Sequence, residues 1–182
     1  MIITEGEHRE IIIPAAQETE FLQLERGAQV RVLIEGNSRL RLDAHLAGEG
    51  ARLDVQGTYL GRGSHSQDVA LCVIQDAKAT ICNIRFRATL EDSARSRFDG
   101  LIRMTERAIN ASASLSYRAL LVSKHASAVP IPRLEVLTKQ VMRASHEAAV
   151  GTIDPHQLFY MQTRGLCLAD AKQLLIKGFL GI

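Results

Sequence analysis

The amino-acid sequence predicts a mainly β protein: a β-solenoid over residues 1–150, followed by a short C-terminal α-helical hairpin over residues 151–182. Two observations favour the solenoid. The segments GAQVRV at 27–32 and GARLDV at 50–55 resemble each other and lie 23 residues apart. Aromatic residues make up only 4% of the chain, which suits a narrow interior filled by aliphatic side chains. A repeat of roughly 20–30 residues with short strands is typical of stacked solenoid coils.

Short runs in which apolar and polar residues alternate dominate the first part of the chain. Successive side chains of a strand point to opposite faces, so this alternation indicates half-buried strands. The clearest runs are residues 29–34, 39–43, 52–56 and 80–87. Residues 91–100 have a helix-compatible composition, but their strand-like neighbours favour a corner and a strand that begins near Ser96. An antiparallel sandwich also contains many short strands, so the pattern alone leaves that architecture open.

The last thirty or so residues carry helix signals instead. Asp154 is a favourable N-cap, and Pro155 is favoured at the first helical position. Gly165 is placed to end this helix. A second helix is predicted from about residue 168 to 177, with Gly178 as its end. Helices of about ten residues are not stable alone, so this pair must dock on the β region or on a partner.

Charge and cysteine content exclude several classes of protein. The 22 basic and 20 acidic residues give a formal net charge of +2, too balanced to indicate binding to nucleic acid or to a membrane surface. The three cysteines, Cys72, Cys82 and Cys167, form no CxxC pair, which favours a reducing compartment. Without a signal-peptide pattern or an apolar run of about 18 residues, we expect a soluble cytoplasmic protein.

One pair of titratable residues stands out. His146 and Glu147, in the segment SHEA, lie between the β-rich and helical regions and are flanked by small residues. An imidazole and a carboxylate can ligate a metal ion, but two ligands do not complete a four-coordinate site, so a partner chain would have to contribute. The alternative is a solvated corner where a strand gives way to a helix. No phosphate-binding loop or nucleophile motif is present.

Residues 119–179 resemble the C-terminal part of the SufB/SufD family of iron–sulfur cluster assembly proteins. The resemblance rests on an ordered set of short segments. These are LLVS at 120–123, PRLEV at 132–136, SHEA at 145–148, QLFY at 157–160, RG at 164–165 and LLIKGF at 174–179.

The resemblance implies a right-handed parallel β-helix with a helical C-terminal segment. Family members dimerise through the end of the β-helix and carry an ABC-type ATPase, SufC, on their C-terminal helices. His146 matches a histidine implicated as a cluster ligand at the dimer interface, and Glu147 matches the acidic residue that follows it in SufB-like members. Ala144 stands where SufD-like members often carry cysteine, and no thiol lies near 117–118, where SufB has one.

These observations predict a non-catalytic scaffold of iron–sulfur cluster assembly, with iron or an iron–sulfur cluster at a dimer interface. The expected partners are a SufC-like ATPase and either a SufB/SufD-like chain or a second copy, without nucleic acid or membrane. The alternative function is a metal-dependent enzyme on a β-solenoid that uses His146 and Glu147. The residues expected to bind the ATPase are the apolar side chains of the helices, Phe159, Tyr160, Leu174 and Phe179.

Overall fold

The structure, a computed structural model, describes residues 1–13, 19–36 and 39–181. Along these residues the chain runs through a series of strands and ends in two helices. The strands are β1 (Ile2–Ile3), β2 (His8–Ile13), β3 (Thr19–Leu24), β4 (Gln29–Glu35), β5 (Arg39–Leu46), β6 (Arg52–Gly61), β7 (Ser66–Gln75), β8 (Ile81–Leu90), β9 (Arg95–Met104), β10 (Ala111–Leu121), β11 (Ser127–Val136) and β12 (Val141–Thr152), and the helices are α1 (Pro155–Thr163) and α2 (Leu168–Leu180).

The strands form two parallel sheets. Within the described ranges, the odd-numbered strands make a six-stranded sheet in the order β1-β3-β5-β7-β9-β11, here called the odd sheet. The even-numbered strands make a second six-stranded sheet in the order β12-β10-β8-β6-β4-β2, the even sheet. Each coil therefore gives one strand to each sheet. The prediction of a solenoid is confirmed, and the antiparallel sandwich is excluded because neighbouring strands pair in parallel.

The repeat seen in the sequence corresponds to one coil. Gln29 of β4 lies beside Arg52 of β6, so the two similar segments stack in register. Arg52 in turn lies beside Ile81 of β8, at a larger separation along the chain. Coils therefore lengthen toward the C-terminus, and the strands lengthen with them, from six residues in β3 to twelve in β12.

One corner of the coils repeats the same backbone conformation. Gly27 and Gly50 have φ angles of 64° and 70°, in the left-handed region that glycine adopts without strain. Ala79 and Asn110 take the corresponding positions of the next coils with φ of 54° and 56°. Gly50 donates its N–H to the carbonyl of Lys78 at 3.0 Å. The corner thus stacks coil on coil through backbone hydrogen bonds.

The longer coils enclose an aromatic cluster that the aliphatic prediction missed. The ring centroids of Phe86 and Phe98 lie 5.3 Å apart, and those of Phe98 and Tyr117 lie 5.1 Å apart. Gly57 lies beside Phe86 on the neighbouring strand and makes room for its ring: a Cβ atom at Gly57 would lie 2.1 Å from Cδ2 of Phe86. The hydroxyl of Tyr117 donates to Oγ of Ser96 at 2.9 Å, so this buried ring has a polar partner.

The last strand ends two residues beyond the predicted division at residue 150. Strand β12 continues to Thr152, and α1 begins at Pro155 with Asp154 as its N-cap, as predicted. The carboxylate of Asp154 accepts a hydrogen bond from the N–H of His156 at 2.8 Å. Neither helix of the described chain is long and apolar enough to cross a membrane.

Helix α2 is longer than predicted. It continues through Gly178 to Leu180 and is capped by Gly181, which has a φ of 81°, so the prediction of a stop at Gly178 is wrong. A glycine inside a helix costs about 1 kcal/mol relative to alanine, but packing can offset that cost. Helix α2 contacts β8 and buries Ile176 and Leu180.

The close contact at Gly57 yields a test of the packing. We expect Gly57→Ala to lower the free energy of unfolding by roughly 1–3 kcal/mol, because the added methyl group collides with a buried ring that has little room to move. Thermal or urea unfolding measures the effect. Gly178→Ala is the matched control, since no atom lies within 4 Å of its added Cβ. Its free energy of unfolding should be equal to or higher than that of wild type. Equal stability of Gly57→Ala and wild type would contradict the described packing.

Candidate functional site

The open end of the solenoid is formed by the last strand of each sheet. Strand β11 pairs only with β9, and β12 pairs only with β10, within the described residues. One edge of each strand therefore has no strand neighbour. Apolar side chains are exposed at this end, including Met142, Val150 and Leu137. An edge with unpaired backbone groups is a template for pairing with another chain.

The free edge of β12 can be assigned from its neighbour. Ser112 and Val122 donate their N–H groups to the β8 side, to carbonyl oxygens of Thr80 and Leu90. The backbone N–H and C=O groups of the odd-numbered residues of β10 between them therefore point toward β12. In the register that pairs Ala113 with Ala144, odd-numbered residues of β12 bond to β10, and the even-numbered ones direct their backbone groups to the free edge. Strand β12 contains no proline, so these N–H groups are available.

The free edge of β11 differs because of two prolines. Ser127 and Leu137 donate their N–H groups to carbonyl oxygens on the β9 side, so odd-numbered residues face β9. The backbone groups of the even-numbered residues point toward the free edge, and these residues include Pro130 and Pro132. Proline lacks an N–H, and proline at an edge discourages strand addition. Of the two edges at this end, that of β12 is the one open to pairing.

His146 and Glu147 lie in the middle of β12, on opposite faces of the even sheet. Their expected position between the β-rich and helical regions is wrong, and so is the alternative of a strand-to-helix corner, because β12 runs from Val141 to Thr152. His146 is in register with Leu115, which is fully buried and points inward. Glu147 is in register with Ser116 on the outer face. Because alternate residues face opposite sides, one chain does not direct both side chains at one ion or substrate.

Glu147 is engaged by two donors on the outer face. Its Oε1 accepts hydrogen bonds from Oγ of Ser116 at 2.6 Å and from Nη2 of Arg118 at 2.9 Å. The hydrogen bond from Ser116 and the adjacent Arg118 guanidinium lower the pKa of Glu147. The carboxylate is thus held ionised, and Arg118 neutralises it.

The described part of the chain holds no group of three or more His, Cys, Asp or Glu side chains placed to bind a metal ion. A single chain therefore does not fit a complete site for iron or a cluster. Metal binding at His146 or Glu147 remains a prediction that requires ligands from a second chain. The alternative of an enzyme that uses both residues gains no support, because the strand separates them.

The terminal helices expose most of the predicted partner-binding residues. The side chains of Phe159, Tyr160 and Leu174 are 69%, 58% and 54% exposed, and α1 buries no residue at all. Phe179 is half-buried, and its carbonyl oxygen accepts a hydrogen bond from Nη1 of Arg87 at 3.0 Å. Phe179 thus helps to attach α2 to the even sheet, while the other three are free to meet a partner.

The three cysteines are separate and unpaired. Cys82 is fully buried, and burial raises its thiol pKa. Cys72 is partly buried, and burial raises its pKa as well. Cys167 is exposed and is the N-cap of α2, where its Sγ accepts from the N–H of Asp170. None of these thiols lies in a group of potential metal ligands within the described residues.

Sequence reasoning missed a basic groove on the outer face of the even sheet. It has a volume of about 340 Å³ and is lined by four arginines, Arg85, Arg87, Arg118 and Arg143. From the sequence, Arg85 and Arg87 are recognisable only as polar residues of the alternating run 80–87. The register of three strands, which no local pattern reveals, brings them together with Arg118 and Arg143.

Comparison with known proteins gives a consistent result. A family model described as SUF system FeS cluster assembly, SufBD core domain, matches residues 16–179. The iron–sulfur cluster assembly protein SufD of Bacillus subtilis is 31% identical over 146 residues, which cover 80% of this chain and 33% of that protein. SufD of Escherichia coli is 36% identical over 100 residues, which cover 54% of this chain and 23% of the relative.

A SufB protein is also similar. The iron–sulfur cluster assembly protein SufB of Bacillus subtilis is 26% identical over 136 residues, which cover 74% of this chain and 29% of that protein. The matched region is therefore only about a quarter to a third of the length of each of these relatives.

Proposed function

The chain belongs to the SufBD family of iron–sulfur cluster assembly proteins, and on this premise we propose that it is a non-catalytic scaffold of that process. In this role it pairs with a second chain through the open end of its solenoid. It also carries a SufC-like ABC-type ATPase on its terminal helices. The partner chain is a second copy or a SufB/SufD-like protein.

The free edge of β12 is the observation that carries the proposal. Ala144, His146, Ala148 and Val150 direct their backbone groups to this edge and their side chains to the inner face. A second strand added at such an edge gains affinity from backbone hydrogen bonds, and the side chains on alternate residues give specificity. A second β12 added here would complete the ladder that one chain leaves unfinished.

The helices support the second part of the proposal. Phe159 and Tyr160 on α1 and Leu174 on α2 are exposed apolar side chains on two short elements. Exposed apolar side chains on elements that bury little against the body of the protein favour an interaction surface over a capping role. Because α1 buries nothing against the body of the protein, its apolar residues are available to a partner.

His146 supplies the third part. A dimer formed at β12 brings the inner faces of two strands together, and with them two imidazoles, which are suitable ligands for iron(II) or zinc. Iron or a cluster held there would be cargo of the scaffold. Glu147, on the outer face and paired with Arg118, does not contribute to this arrangement.

Pairing at β12 is tested by a proline placed on the free edge. We expect wild-type protein to be a dimer by light scattering at high micromolar concentration. Ala148→Pro should be a monomer that melts like wild type diluted below its dimerisation range, because this N–H faces the free edge and makes no bond to β10.

The adjacent position serves as the control. The N–H of Ala149 faces β10, so Ala149→Pro should lower the melting temperature by removing a ladder hydrogen bond. A monomeric wild type would contradict the proposed pairing. A dimer that persists in Ala148→Pro would show that pairing uses another surface.

Docking of the ATPase is tested by truncating the exposed side chains. The triple variant Phe159→Ala, Tyr160→Ala and Leu174→Ala should lose roughly tenfold or more in affinity for the SufC-like ATPase, because each side chain contributes buried apolar area only in the complex. Calorimetry with purified partner gives the affinity. Phe21→Ala is the control, since Phe21 is 51% exposed on the odd sheet. Unchanged affinity in the triple variant would exclude the helices as the docking surface.

Metal binding at the proposed β12–β12 interface is tested by replacing the two predicted ligands one at a time. Titration of wild type with iron(II) or zinc should show weak binding, which His146→Ala and the monomeric Ala148→Pro abolish. Glu147→Gln should bind as wild type does, because its side chain lies on the other face. His146→Ala should keep its melting temperature, since the side chain is exposed. Equal metal affinity in wild type and His146→Ala would contradict the role of this histidine.

A further inference from the structure

The outer face of the even sheet concentrates positive charge in one groove. Arg85 and Arg87 come from β8, Arg118 from β10 and Arg143 from β12, and the cavity between them measures about 340 Å³. Arg87 and Arg118 are direct neighbours in the register of two paired strands. Like charges placed opposite each other on a sheet are destabilising, so this arrangement has a cost that a bound anion would offset.

Carboxylates do not neutralise most of this charge. Glu147 pairs with Arg118 at 2.9 Å and is the one acidic residue among those that line the groove. Arg87 donates to the carbonyl oxygen of Phe179, which carries no net charge. Arg85 and Arg143 have no ion pair with a carboxylate among the described residues. Arg85 lies near Asp54 on the neighbouring strand, but that carboxylate already pairs with Arg52 at 2.6 Å and accepts from Asn83 at 2.8 Å. The groove therefore has strong donors that intramolecular contacts leave unused.

A line of hydroxyl groups completes the floor. Ser112, Ser114 and Ser116 occupy alternate positions of β10, so all three face outward. Ser116 lies between Arg85 and Glu147 in the register, and Ser112 lies beside Arg143. Adjacent strands are about 4.8 Å apart, so hydroxyl and guanidinium groups of neighbouring strands can reach one small ligand.

From this arrangement we propose that the groove is a binding site for a phosphate-type oxyanion, either free or as part of a nucleotide. Guanidinium groups bind such anions through paired N–H donors with matching geometry, and hydroxyl groups add further donors. Several cations around one cavity favour a multiply charged anion over a single carboxylate. The volume is at the lower end of the range of small-molecule sites.

Glu147 gives the proposal a test with a distinctive sign. Its carboxylate accepts from Ser116 and Arg118, and so occupies donors that a bound oxyanion would use. Replacement by glutamine removes the competing negative charge and releases Arg118. Glu147→Gln should therefore bind the anion severalfold more tightly than wild type, whereas a merely structural role of the ion pair predicts no gain.

The experiment is calorimetric titration with pyrophosphate, ADP and adenosine at constant ionic strength. Wild type should give saturable heat with the first two and none with adenosine. Arg85→Gln should weaken binding roughly tenfold or more, as expected for loss of a charge-assisted hydrogen bond; Arg143→Gln is a second, independent variant. Arg103→Gln, which removes the same charge from the odd sheet, should bind like wild type. Circular dichroism verifies the fold of each variant.

Each outcome decides the matter. Equal affinities for pyrophosphate and ADP support a site that reads phosphate alone, and tighter ADP binding supports a nucleotide site. No saturable heat with either ligand overturns the proposal, as does equal weakening in Arg85→Gln and Arg103→Gln, which would indicate general charge attraction. Binding of adenosine as tight as that of ADP would also overturn it, because phosphate would then not be the recognised group.

Discussion

Parallel pairing of each coil with the next is the constraint on which the whole structure depends. Every strand inside a sheet bonds one neighbour through its odd-numbered residues and the other through its even-numbered residues, so the register of one coil is passed to the next. That register stacks Gln29 on Arg52 and Arg52 on Ile81, and it aligns the left-handed corners at Gly27 and Gly50. It also directs the side chains at matching positions of successive coils to the interior. It also explains the open end: the last coil has half of its backbone groups left over.

The same register distributes charge unequally between the two sheets. On the odd sheet, cations are matched by carboxylates on neighbouring strands, as in Arg133 with Asp99 and Arg103 with Glu135. At a corner, the hydrogen bond from Arg107 lowers the pKa of Asp76 to about 2. On the even sheet the arginines around the groove outnumber their carboxylates. A solenoid thus shows two outer surfaces of different electrostatic character, although the net charge of the chain is close to neutral.

The sequence could predict features that a single coil determines, but not those that several coils create together. Alternation and the GAQVRV echo were sufficient for the stacked strands, because one strand carries its own period of two. His146 was misplaced because an edge strand without a covered face has no clean alternation to read. The helix end at Gly178 was misjudged because burial of Leu180, beyond the glycine, outweighs a local signal. The groove depends on residues about thirty positions apart, which meet only through the register.

Pro130 and Pro132 have a consequence for the size of any assembly. Stacking one solenoid head-to-tail on another must extend both sheets, and repetition of such a heterologous contact produces an open filament. The prolines stop the odd sheet, so only half of the terminal cross-section can propagate. An isologous contact about a twofold axis needs just one free edge and uses it up in both copies at once. The two prolines thus favour closure over polymerisation at this end of the solenoid.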